Sequence, residues 1–196
     1  MSDRVEEFRA AIAKLQKEFD RELAETRKAL AYQLIGKRVV FEREMRWRHR
    51  AARVKLSAFL AATRPMVLVT APVIYALIFP FVLLDLFVSI YQTVCFPVYG
   101  ITKVKRADHI AFDHRHLAYL NGLQKLNCLY CSYCNGLISY VREIAARTEQ
   151  YWCPIKHARA IVGPHERYPA FTDYGDAEAF RSRSKGLREA LKKPQT

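Results

Sequence analysis

MVLVTAPVIYALIFPFVLLDLFVSIYQTVCFPVYG, residues 66–100, decides how the rest of the chain is read. From Met66 to Phe96 the only charged side chain is Asp85. A helix over that stretch is about 46 Å long at 1.5 Å per residue, longer than the roughly 30 Å hydrocarbon core of a bilayer. Pro72, Pro80 and Pro97 punctuate it. Two arrangements compete. One is a single kinked and tilted span, which proline permits where neighbours satisfy the freed carbonyl. The other is a re-entrant hairpin bent near Pro80, whose arms are each short for a span. Basic residues on both flanks favour the hairpin, because only a hairpin keeps both flanks on the cytoplasmic side. Length favours the single span. Asp85 is a candidate membrane carboxylate because an intramembrane charge is costly; the plainer alternative is a local pair or cap.

On either side the chain turns basic. Residues 1–64 hold 16 Lys and Arg against 9 Asp and Glu, as do residues 99–196, giving +7 for each flank and +13 for the chain of 196 residues once Asp85 is included. The isoelectric point is near 9.7. Arg46, Arg48, Arg50, Arg53, Lys55 and Arg64 precede the apolar stretch, and Lys103, Lys105 and Arg106 follow it. Clusters in that position are drawn to anionic lipid headgroups. No nucleic-acid-binding motif accompanies them, so the expected partner is a membrane surface and not nucleic acid.

Upstream, Val5, Phe8, Ile12, Leu15, Phe19, Leu23, Leu30 and Leu34 recur at steps of three and four before the seam slips, which predicts an amphipathic, coiled-coil-like helix over 1–36. Residues 3–34 are therefore expected to mediate self-association or to pack on a protein partner. Residues 37–64 read as a second helix, with arginines interleaved among Trp47, Val54, Leu56 and Phe59, a pattern suited to a membrane interface. The start of the chain has no apolar signal-peptide core. With an odd count of five cysteines, ligating or buried thiols fit better than a disulfide framework.

Downstream, 102–181 is expected to form a helical Cys/His domain and 182–196 a flexible basic tail. Residues 107–146 read as helix with weak points at Asn121-Gly122 and Asn135-Gly136, and Trp152–Ile161 as a further helix with Pro154 in its first turn. The fold class is thus all-α.

Within LNCLYCSYCNG, residues 126–136, Cys128 and Cys131 share a helix face at i, i+3, and in YWCPIKH, 151–157, Cys153 and His157 share one at i, i+4. Two helices presenting such pairs can converge a Cys₃His set on one tetrahedral point, which suits structural zinc, or iron if the protein moves electrons. Cys134 is rotated away from Cys128 on a straight helix and is a possible extra ligand only if the backbone opens at Asn135-Gly136. A C-x2-C-x2-C run with a later Cys-Pro partly echoes iron–sulfur ligation. Ser132 and Asn135 stand where covalent haem c attachment requires histidine. Cys95, inside the apolar run, reads as packing.

A second polar set is His109, Asp113, His116, Glu143 and Glu149. A di-iron carboxylate site wants a Glu-x-x-His motif from each of two helices; Asp113 and His116 supply one half with Asp in place of Glu. The plainer account is a polar helix face with ion pairs at Glu143 and Arg147.

FPFVLLDLFVSIYQTVCFPVYGI, HLAYLN, LNCLYCSY and VREIAARTEQYWCPIKHA, spanning roughly residues 75–180, resemble a family of bacterial membrane-anchored proteins without an established activity. The resemblance implies a bacterial membrane setting; with the basic flanks, the expected place is the inner membrane with the N-terminal and the C-terminal domain on the cytoplasmic side. That family has alanine at the position of Cys134, which leaves Cys128, Cys131, Cys153 and His157 as the ligand set. It also keeps the counterparts of Asp113 and His116 but not of His114.

Three functions follow as expectations. The first is a membrane-anchored metal-binding protein with a Cys₃His site and an assembly role. The second is a membrane oxidoreductase or electron-transfer protein, assisted by iron or flavin, that uses Asp113, His116, Glu143 or Glu149. The third is a metal-free membrane scaffold.

Overall fold

The computed structural model describes residues 2–35 and 38–192. The described residues are mostly helical, at 71% helix and 4% strand, and the chain divides into two compact units: Met1–Ala62 with Asp113–Leu126, and Thr63–Phe112 with Asn127–Thr196.

The first unit opens with helix α1, Ser2–Ala29. Ala31, at a φ of 50°, turns the chain into an antiparallel hairpin of β1, Tyr32–Ile35, and β2, Arg38–Phe41, in which Tyr32 pairs with Phe41 and Leu34 with Val39. The sequence reading expects helix from residue 37 onward and misses this hairpin. Val39, Val40 and Phe41 are residue types that pack well on a pleated surface, and the Tyr32 and Phe41 rings meet across the strands at 5.4 Å. The basic run is helical in two pieces, α2, Arg43–Ala51, and α3, Leu56–Ala62. Gly36 and Lys37 lie outside the described residues.

The second unit is organised by the apolar run. Helices α4, Pro65–Ala76, and α5, Ile78–Tyr99, follow one another through the single residue Leu77 and form one helix long and apolar enough to cross a membrane. No hairpin bend forms at Pro80, which lies in the first turn of α5, where its missing N–H leaves no bond unmade. Gly100, at a φ of +68°, ends the run in the left-handed conformation that glycine adopts most readily.

The chain then doubles back. Residues 101–112 carry the four-residue helix α6, Arg106–His109, and are otherwise non-helical; the expected long helix from 107 is absent here. A 3₁₀ turn at Asp113–His116 precedes α7, Gly122–Trp152, whose first turn is closed by Asn121 Oδ1 accepting from the Gln124 N–H at 2.9 Å. Contacts rise together in number along both partners. Tyr130 donates to the Ile74 carbonyl at 2.7 Å, Tyr133 to Asp85 at 3.0 Å, and Tyr151 stacks on Tyr99 at 5.1 Å. Helix α7 therefore runs parallel to α4–α5, with the return segment beside them. Phe96, Val104, Ile110, Leu137, Tyr140 and Ile144 form the core at this junction.

Asn135-Gly136 does not break α7. Gly136 instead admits the return segment: a Cβ there would stand 2.7 Å from the His109 carbonyl oxygen and 2.9 Å from Ile110 Cα.

Past α7, the expected helix at 152–161 is replaced by a strand-like bridge. Thr172 donates its N–H to the Pro154 carbonyl, and Lys156 donates to the Thr172 carbonyl at 2.8 Å. The supposed flexible tail is helical to Ala190: α8, Ala177–Ala190, is capped by Asp176 accepting from the Ala179 N–H. Leu191 is buried after it. Residues 193–196 lie outside the described residues.

Candidate functional site

The cysteine and histidine set is separated by the continuity of α7. Cys128 and Cys131 lie in its first half, and Cys153 follows its last residue, with its N–H still bonded to the Glu149 carbonyl. Twenty-five residues of one helix correspond to roughly 37 Å of axial rise. Cys128 and Cys131 therefore cannot share a tetrahedral ion with Cys153 and His157 of the same chain. His157 is engaged locally: its N–H donates to Tyr168 Oη at 2.7 Å and its ring stacks on Tyr168. Cys131 and Cys153 are exposed, while Cys95 and Cys128 are half-buried. Cys134 is buried, and that burial pushes its thiol up. Among the described residues no group of three or more His, Cys, Asp and Glu side chains is placed to hold a metal ion.

The second polar set divides between the units. Asp113 and His116 belong to the first, and His109, Glu143 and Glu149 to the second. There Glu143 accepts from Arg147 and from Arg167, each at 2.7 Å, and Arg167 also donates to Gln150 at 3.0 Å. Glu149 meets His165 at 2.9 Å, and His109 hydrogen-bonds with Ser139 at 2.9 Å. A pocket of about 250 Å³ opens between His109, Ser139, Glu143, Arg147 and His165. Burial alone would raise the Glu143 pKa, yet the hydrogen bonds from Arg167 and Arg147 outweigh it and hold the carboxyl below its ordinary range. Two guanidiniums already share one oxygen of this carboxylate, Oε1, so the cluster ties the loop around Arg167 to α7. Arg167 and His165 were not legible as its partners, since neither lies at a helical spacing from Glu143 or Glu149.

Asp85 is paired. Arg106 approaches it with two nitrogens, at 2.6 and 3.2 Å; Tyr133 donates at 3.0 Å and Ser89 reaches it at 3.4 Å. The carboxylate anchors the return segment and α7 to one face of α5, through partners 21 and 48 residues away in the sequence.

The first unit carries a pocket that sequence patterns did not reveal. Tyr32, Phe41, His49, Leu117 and Tyr119 line a space of about 300 Å³ that also touches Asp113 and His114. The His49 ring meets Phe41 at 4.9 Å and Tyr119 at 5.0 Å, and among the described residues its buried Nδ1 has no hydrogen-bond partner.

No family model, no curated protein and no solved structure matches this chain.

Proposed function

We propose that this chain is a membrane-bound assembly protein, held on the bilayer by residues 65–99 and offering its helical surfaces to protein partners. The observation that carries this reading is the exposure of the apolar run. Val69, Val73, Phe79, Phe87, Val94 and Val98 are each more than half exposed, and an apolar surface of this extent in a folded chain marks a membrane or protein interface. The neutral composition of the stretch and its basic flanks select the membrane. Fractionation of cells expressing the full chain tests the proposal: the protein stays with membranes through salt and alkaline carbonate washes and leaves them in detergent. Release by salt alone overturns it.

The geometry of the second unit favours a helix lying in the plane of the membrane over an upright span. Helix α7 and the return segment flank α5 on one side, and Lys103, Lys105, Arg106 and Asp108 are exposed there. An upright α4–α5 would carry this non-helical, charged segment into hydrocarbon alongside it, where lipid-exposed irregular backbone does not occur. The residues of α4–α5 turned away from α7 are apolar from Met66 to Val98, as an interfacial helix requires. Spin labels at Val69, Leu83 and Val98 report equal, shallow immersion in this arrangement. A depth gradient with Leu83 deepest would restore the upright span.

The zinc or iron site drawn from Cys128, Cys131, Cys153 and His157 does not enter this reading, because the continuous α7 keeps its two halves apart.

A further inference from the structure

Helix α2 places Arg46, Arg50 and Arg53 at i, i+4 and i+7, on one face of the helix and the residues just after it. Arg115, His116, Ala118 and Lys125, which come from far along the chain, complete the lining of a pocket of about 350 Å³ with them. Five permanent cations thus converge without a carboxylate in the lining. Elsewhere on α2 the ordinary arrangement is present, with Arg48 meeting Glu44 at 2.6 Å. Among the described residues the side chains of Arg46, Arg50, Arg53 and Lys125 have no acceptor, and Arg115 donates only to the neighbouring His116, at 3.3 Å. Like charges at helical i, i+4 spacing are destabilising, and further cations brought against them add to the repulsion. Among the described residues nothing compensates this arrangement.

Guanidinium groups match phosphate oxygens in a two-pronged geometry that the ammonium group cannot offer. Four such forks around one cavity suit a compact group with two or more negative charges. The cavity is too small for folded nucleic acid, and a phosphodiester carries only one charge per phosphate.

We propose that Arg46, Arg50, Arg53, Arg115 and Lys125 form a binding site for a phosphate monoester or pyrophosphate group, carried either by a phospholipid headgroup or by a free phosphate compound. The site belongs to the first unit and does not rest on how residues 65–99 lie in a bilayer.

The test is calorimetric titration of the full chain in non-ionic detergent with two probes, inorganic pyrophosphate and a short-chain phosphatidic acid. The triple variant Arg46→Gln, Arg50→Gln, Arg115→Gln is expected to lose affinity by about tenfold or more per arginine, the range for hydrogen bonds to charged groups. The variant Lys17→Gln, Arg181→Gln, Lys185→Gln removes the same net charge from exposed positions elsewhere and is expected to bind as the unmodified chain does. Because the site concentrates repulsion, the arginine variant should also melt at or above the temperature of the unmodified protein, which separates lost binding from lost folding. Binding of both probes that is lost in the arginine variant alone supports the site. Binding of the lipid only, or of pyrophosphate only, supports it and identifies the source of the phosphate. Absence of binding, equal weakening in both triple variants, or tighter binding of a single-stranded RNA oligonucleotide than of either probe overturns it.

Discussion

Gln92 and Val104 are joined twice: the Gln92 side-chain amide donates to the Val104 carbonyl at 3.3 Å and accepts from the Val104 N–H at 2.6 Å. The same amide nitrogen donates to Tyr140 Oη at 2.9 Å. One side chain on α5 therefore does for the return segment what a neighbouring strand would do, and it links that segment to α7. Both residues are buried. Gln92→Leu leaves the backbone N–H and carbonyl of Val104 without partners and should cost about 2–4 kcal/mol. Thermal melting in detergent measures it. A variant as stable as the parent would show that water replaces the amide and that the return segment is not fixed there.

Gly136 predicts a sign. Alanine in a helix interior normally gains about 1 kcal/mol over glycine. At Gly136 the added methyl would stand 2.7 Å from the His109 carbonyl oxygen, so Gly136→Ala forces backbone apart and should destabilise by about 1–3 kcal/mol. Gly186 in α8 has open space around the same position, and Gly186→Ala should be neutral or stabilising. Melting of the two variants side by side checks the pair. Equal effects would mean that the return segment does not press on α7.

Acid should loosen the end of α7. The Glu143 carboxyl titrates below its ordinary value of 4.5: burial pushes it upward, and the Arg167 and Arg147 hydrogen bonds pull it down further. A carboxyl whose folded pKa is depressed contributes stability that is present above its unfolded pKa and is lost as pH falls through the folded one. The protein should therefore lose stability on acidification below about pH 4.5, the ordinary value of this carboxyl. Glu143→Gln should be less stable near neutrality by about 1–3 kcal/mol and should show a shallower decline in acid. Denaturation midpoints across pH for both proteins decide the matter; parallel curves would exclude Glu143 as the titrating group.

What the sequence made legible follows from the range of the forces involved. The apolar helix from Pro65 to Tyr99 is local, and its composition announces it; the start of α7 at Gly122 was missed, because 107–146 reads as one helix with Asn121-Gly122 only a weak point in it. The return segment is not local. Its fixed points are Gln92, Asp85 and Gly136 on other elements, and no periodicity within 101–112 encodes them. The hairpin at Tyr32–Phe41 was lost for a different reason, since short apolar runs fit helix and strand alike. The cysteine set rested on one assumption, a turn between Ser132 and Trp152, where α7 runs on as a single helix. Gly136 suggested such a turn, but this glycine makes room for a crossing chain and leaves the helix intact.

That continuity makes the cysteines expendable to the fold. Cys128→Ala with Cys153→Ala should retain the melting temperature of the parent to within a few degrees, since neither residue is fully buried and surface substitutions are usually within about 0.5 kcal/mol. Elemental analysis of the unmodified protein should give well below one zinc or iron per chain. Stoichiometric metal, lost in the double variant together with stability, would show that the two ends of α7 are bridged by ligands from a second chain.

Helix α1 carries the last prediction. Phe8, Ile12, Leu15 and Phe19 follow one another at steps of four, three and four, and each is more than half exposed, Phe8, Leu15 and Phe19 at 64%. An unpartnered apolar stripe at this spacing is the seam of a coiled coil. In a 28-residue helix, stability is expected to come from packing of that stripe more than from propensity. The partner that fits it most simply is α1 of a second copy, whose stripe is identical. Phe8→Glu with Phe19→Glu places like charges in the seam and should shift the full chain in detergent toward a smaller assembly, with a loss of helicity that depends on protein concentration in the parent and not in the variant. Sedimentation and circular dichroism read the two effects. An unchanged assembly size would exclude α1 as the seam and leave its stripe to a different protein.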